Sequence, residues 1–143
     1  MHELTGTVGR SQITNGYWRA FFLPIDCATL GGLTTYQIPA LPGVTRTDYS
    51  SAAYGVNRNA QVVGYTQKED QFQNLISRAF LYSPQTGVIT DLNNFTLDGG
   101  QTPASIGWML TSAVSINDFG VIVGYGSNAS GNTCWIIYPT CQD

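Results

Sequence analysis

The chain has 143 residues, of which 43% are hydrophobic and only 10% charged, with a formal net charge of −3 at pH 7. That apolar content can fill the core of one domain, which excludes wholesale disorder. Six scattered Lys and Arg residues cannot build the basic stripe that nucleic acid demands, and no apolar run reaches the roughly 18 residues of a membrane span.

No charged n-region followed by an apolar h-region opens the chain, which reads as a mature form or a fragment. The first segments, "ELTGTVGRS" (residues 3–11), "GYWRAFFLP" (16–24) and "LTTYQIP" (33–39), read as three strands. Four more follow: "SAAYGVN" (51–57), "QVVGYT" (61–66), "SRAFLYS" (77–83) and "GVITDL" (87–92). A short Asn/Arg/Asn/Ala stretch joins the first two of these. Pro84 and Gly87 punctuate the link between the last two, Pro pre-setting one turn dihedral and Gly supplying a left-handed residue. The last three strands are "TSAVSIN" (111–117), "GVIVGYG" (120–126) and "TCWIIYP" (133–139), with Gly120 free to take positive φ in the loop between the first two. No window sustains a spacing of about 3.6, so helix is expected to be almost absent.

These strands repeat. "VNRNAQVVGY" (56–65) lies over "INDFGVIVGY" (116–125), matching Asn57, Val63, Gly64 and Tyr65 to Asn117, Val123, Gly124 and Tyr125, while Val8 and Gly9 echo Val63 and Gly64. "RAF" at Arg19 returns at Arg78, and Ala79, Phe80 and Pro84 fall on Cys134, Trp135 and Pro139. The period is roughly 55–60 residues, the scale of a supersecondary repeat. The expected fold is all-β: one domain, 1–143, of antiparallel four-stranded meanders resembling propeller blades, in units near 1–45, 46–100 and 101–143. The first unit opens at its second strand and the last stops after its third, as in chains whose end strands complete another unit.

Candidate chemistry is thin. Asp26, Asp48, Asp91, Asp98 and Asp118 sit in or beside turns, where Asp bonds local backbone. A glycosidase would need two carboxylates facing across a cleft, and no spacing argues for that. "NNFTLDGGQ" (93–101) lacks the Asp/Asn ladder of a calcium loop. His2 is the one histidine and no Gly-x-Ser-x-Gly elbow occurs, so neither a catalytic triad, nor a His/Cys metal site, nor a cofactor site is expected. Phe21, Phe80 and Trp135 are repeat-equivalent and read as core. Trp18 and Trp108 have no such match and, with Tyr49 and Tyr54, are candidates for glycan stacking or for an interface. Of the three cysteines, Cys27 and Cys141 are repeat-equivalent and form the candidate disulfide, within one chain or between chains. Cys134 replaces a small Ala of the repeat and reads as a buried thiol.

"AYGVNRNAQVVGY" (53–65) followed by "SRAFLYSPQTGVITDL" (77–92) resembles the bacterial extracellular HAF repeat, close to "AYGIN-x-x-GQVVG…HAFLW…DLG". Arg19 and Arg78 stand where that repeat has His, and Ala60 where it has a turn Gly. The resemblance implies a secreted or cell-surface protein of propeller-like β units, with no catalytic residues to carry over. The functional expectation is a non-enzymatic structural protein that self-assembles through strand complementation between incomplete units, as a filament or surface-layer subunit. The alternative is a carbohydrate-binding module.

Overall fold

The computed structural model describes residues 5–14, 16–25, 36–97 and 99–138. Within them the chain is all-β, in three antiparallel sheets. The first holds β1 (Thr5–Gln12), β2 (Trp18–Ile25) and β3 (Tyr36–Gln37). The middle sheet holds β4 (Ser51–Val56), β5 (Val62–Glu69), β6 (Leu75–Ser83) and β7 (Val88–Asp91), and the third β8 (Met109–Ile116), β9 (Ile122–Asn128) and β10 (Gly131–Ile137). Each is a meander in which neighbours in sequence are neighbours in space. Two single-turn 3₁₀ segments, Leu92–Asn94 and Ala104–Ile106, are the helical elements among these residues. The described strands do not close into a barrel or a ring.

Cross-strand registers give the repeated phrases a physical meaning. Gly9 lies opposite Phe21, Gly64 opposite Phe80, and Gly124 opposite Trp135. The glycine of "VG" and the aromatic of "AF" or "CW" are therefore the two halves of one cross-strand pair, and in the first and third sheets the ring lies over the bare glycine. A Cβ on Gly9 would fall 2.9 Å from the Phe21 ring, and one on Gly124 would fall 2.5 Å from Trp135 and 2.0 Å from the Ser112 carbonyl oxygen. The bulges repeat too: pairing slips between Ala53 and Gly55 in β4 and between Ala113 and Ser115 in β8, which pushes Tyr54 and Val114 outward.

The turns follow the same logic. Asn57 Oδ1 accepts from the backbone N–H of Asn59 and Gln61, and Asn117 Oδ1 accepts from those of Phe119 and Val121. This local bonding closes each hairpin. The left-handed residue is Gly120 (φ 86°) in one turn and Ala60 (φ 59°) in the other. Gly87 takes φ 72° in the Pro84 turn, as its position requires.

The sheets stack face on face. β4 packs on β1 and β2, and β8 packs on β4, β5 and β6. Between the first two sheets lies one core, including Ala20, Phe22, Ile38, Leu41, Val62, Phe80, Tyr82 and Ile89. Between the middle and third sheets lies a second, including Val63, Ala79, Leu92, Leu110, Ile116, Ile122, Trp135 and Ile137. The middle sheet is thus buried on both faces: Val62 and Phe80 point one way, Val63 and Ala79 the other, and all four are fully buried. At about 2–3 kcal/mol for a fully buried Phe or Val side chain, these alternating pairs are the main source of cohesion between sheets.

Phe80 and Trp135 are core, as their repeat position predicts, but Phe21 is only half-buried. Strand alternation explains the difference. Ala20 and Phe22 face the middle sheet, so Phe21 points to the opposite face of the first sheet, away from that core.

Candidate functional site

Burial along the third sheet alternates cleanly. Ile122 and Gly124 of β9, and Trp135 and Ile137 of β10, are buried against the middle sheet, whereas Val123, Tyr125, Cys134 and Ile136 face outward. The repeat identifies this outward face. Val123 matches Val63, Tyr125 matches Tyr65, Cys134 matches Ala79 and Ile136 matches Leu81. In the middle sheet Val63 and Ala79 belong to the second core with Leu81 packed against it, and Val63 is 0% exposed; Val123 is 37% exposed, Ile136 49% and Tyr125 52%. The sequence builds the same apolar face twice, and one of the two is uncovered. Val114 of the repeated bulge and Tyr138 extend the exposed patch.

Cys134 corrects an expectation. It is exposed rather than buried, and it is a free thiol. The reasoning from Ala79 was sound about the face, but Ala79 is buried by the third sheet, and the third sheet has no described sheet beyond it. Cys27 and Cys141, the candidate disulfide, lie outside the described residues, as do Asp26, Asp98 and His2.

The four candidate aromatics do not converge. Trp18, on β2, lies half-buried under the Arg10 guanidinium, 4.4 Å from the ring centroid. Tyr49 is buried, not available to a ligand: Arg19 stacks on its ring at 3.7 Å and donates to the carbonyl oxygens of Tyr49 and Thr47. Tyr54 is exposed on the β4 bulge, its ring 5.9 Å from that of Tyr65. Trp108 is half-buried and lines an apolar groove beside β10.

Around Tyr54 the structure gathers residues the sequence reading did not single out. Burial, and next the nearby Tyr65 and Tyr125, push the Tyr54 hydroxyl above the usual tyrosine pKa, while Arg10 opposes the rise. Tyr65 and Tyr125 also border a polar cleft of about 410 Å³ with Gln67, Ser77, Thr111 and Ser112. The Ser112 hydroxyl is buried there without a hydrogen-bond partner. The signal in sequence is that both tyrosines close the repeated "VGY".

The carboxylates serve structure. Asp91 caps the 3₁₀ turn by accepting from the Asn93 N–H at 2.9 Å, and it pairs with Arg78 at 2.8 Å. Asp48 takes a two-pronged contact from Arg46, whose hydrogen bond holds the Asp48 carboxyl below its usual pKa. Asp118 departs from the expected local capping: its Oδ1 accepts from the Arg58 N–H, tying the third sheet's hairpin to the middle sheet's. Among the described residues no three His, Cys, Asp or Glu side chains gather as a metal site would require. Likewise no described helix is long and apolar enough to cross a membrane.

Asn93 is the most consequential polar residue outside the repeat pattern. Fully buried, it donates to the Leu110 carbonyl oxygen at 3.0 Å and accepts from the Leu110 N–H at 2.7 Å, fastening the end of the middle sheet to β8. Comparison with protein-family models, with curated proteins and with solved structures finds no match for the chain.

Proposed function

We propose that this chain is a non-enzymatic structural protein that assembles with copies of itself, and that the outward face of the third sheet is the assembly surface. A single observation carries the reading: Val123, Cys134 and Ile136 repeat the positions of Val63, Ala79 and Leu81, which inside the chain pack into the core beneath the next sheet. The natural cover is the first sheet of a second copy. Its outer face carries Phe21, the counterpart of Phe80 and Trp135, which at both internal junctions point toward the preceding sheet. Such a contact joins two different surfaces, so it repeats from copy to copy and builds a filament or layer wherever the rotation between copies does not close a ring. The open edges of β1 and β10 add backbone groups that a neighbour's strand would satisfy, the complementation expected of incomplete units.

This reading treats the three sheets as successive propeller-like units of an HAF-type repeat, acting at the cell surface or outside the cell. The low charge and the Tyr- and Gly-rich composition support that placement. The test is the particle mass of the wild-type chain against Val123→Glu with Ile136→Lys, an opposite-charge pair at two positions that face each other across β9 and β10. Both side chains are exposed in the single chain, so the double variant keeps its fold and loses assembly. A wild-type chain that stays monomeric at all concentrations sinks the proposal.

The polar cleft favours a second reading, a carbohydrate-binding module. Tyr65 and Tyr125 offer ring faces beside Gln67, Ser77 and an unsatisfied Ser112 hydroxyl, the mixture that sugar rings use. Tyr125→Ala would then abolish retention on a glycan array, and an array with no hits for the wild-type chain dismisses the reading.

A further inference from the structure

The two cores are built from equivalent parts, with one missing. In the middle sheet, β7 runs antiparallel to β6, pairing Ile89 with Tyr82, Thr90 with Leu81 and Asp91 with Phe80. Ile89 is buried in the first core together with Tyr82, Ile38 and Leu41. In the second core, Ile137 takes the place of Tyr82, Leu92 that of Ile38 and Phe95 that of Leu41. Ile38 and Leu92 each follow the residue paired with Phe21 or Phe80, and each is 1% exposed. No described residue takes the place of Ile89, because no described strand pairs with the outer edge of β10.

At that place lies an apolar groove of about 310 Å³. Four consecutive β10 residues line it, Cys134, Trp135, Ile136 and Ile137, together with Leu97, Ile106 and Trp108 across from them. Consecutive strand residues point to opposite faces, so all four can border one groove only along the open edge of the strand. Trp135 to Ile137 are the counterparts of Phe80 to Tyr82, the residues that pair with β7 in the middle sheet.

We infer that the β10 edge and its groove form a site for an extended peptide segment of the β7 type, added antiparallel to β10. Backbone pairing supplies affinity, and the groove selects a branched aliphatic side chain at the position of Ile89, as in other strand-addition sites. The occupant has the pattern of Val88 to Leu92: aliphatic, aliphatic, Thr, Asp, Leu. The inference deepens the assembly reading, and rests on it for the role of the site, by naming where and with what kind of strand the third sheet is completed.

The probe is a capped synthetic peptide of residues 86–95, TGVITDLNNF, titrated into the full chain while the amide signals of residues 134–137 and the indole N–H signals of Trp108 and Trp135 are followed by NMR. Saturable shifts at these signals are expected, and the same peptide carrying Ile89→Asp should bind at least about tenfold more weakly, since a carboxylate cannot enter an apolar groove unpaired. Because the substitution lies in the peptide, the fold of the chain is untouched. Equal binding of both peptides, or no shift at these signals, overturns the inference. So does concentration-dependent pairing of β10 with β1 of a second copy that the peptide cannot displace. Particle mass, measured separately, keeps the two ideas apart: a monomer that binds the peptide contradicts assembly and leaves this site standing, and an assembly indifferent to the peptide does the reverse.

Discussion

Gly64 and Gly124 hold the chain's main-chain geometry at single positions. A Cβ on Gly64 would sit 2.0 Å from the Ala52 carbonyl oxygen, and backbone cannot yield as a flexible side chain can. Gly64→Ala is therefore expected to destabilise by about 3 kcal/mol or more, the upper range for overpacking, read as a lowered urea midpoint. Asn93→Ala leaves the buried Leu110 N–H and carbonyl without partners and should cost about 3 kcal/mol, the combined penalty for two stranded groups. Ala60 is a finer case. Its left-handed φ costs about 1 kcal/mol relative to Gly, but its methyl is fully buried, contributing about 0.8 kcal/mol, and Gly adds chain entropy of about 0.5–1 kcal/mol to the unfolded state. Ala60→Gly should accordingly fail to stabilise, contrary to what the φ angle alone suggests, and thermal melting decides it. For Tyr54, the raised pKa means the folded state favours the neutral phenol. Its contribution is intact below the unfolded value of about 10 and is lost as pH climbs through the raised one. Tyr54→Phe should flatten that alkaline loss, as measured by stability between neutral pH and pH above about 10.

Elements were legible in proportion to how local their causes are. Hairpins, turn glycines and the strand order of each meander follow from alternation and turn chemistry, so "SAAYGVN" to "GVITDL" could be placed before any coordinates. The Gly–aromatic pairs were visible as repeats but not as partners, because pairing requires the register. What failed depended on neighbours. Cys134 and Ala79 occupy one position of one pattern, yet only Ala79 has a sheet over it. Tyr49 is a candidate stacking or interface ring in sequence, but Arg19 comes from 30 residues away to bury it. Asn93 finds its partner 17 residues ahead, a bond no local motif announces. The exposed Cys134 gives this scale its own prediction. In the dispersed chain Cys134 reacts readily with an alkylating reagent, located by mass spectrometry, and in the assembled state it is protected because the face around it is covered. Equal labelling in both states would place the assembly contact elsewhere.

At the scale of the molecule, the described strands form a stack of three sheets with a core at each of the two junctions between them. The middle sheet shows what a finished unit looks like: four strands, both faces covered, Ile89 seated in the core on its outer strand. Among the described residues the third sheet departs from it in two respects, an uncovered face and an unpaired outer edge, and both departures expose apolar side chains. Large contiguous apolar patches are uncommon on free monomers and mark interaction surfaces. The first sheet of a second copy would cover the face, and an added β7-type strand would pair the edge. The most direct measurement is the mass of the native particle by light scattering, with electron microscopy of the same sample. The expected result is filaments or layers of many copies, reduced to single 15.5 kDa chains by Val123→Glu with Ile136→Lys. A wild-type particle of 15.5 kDa across the concentration range would contradict it.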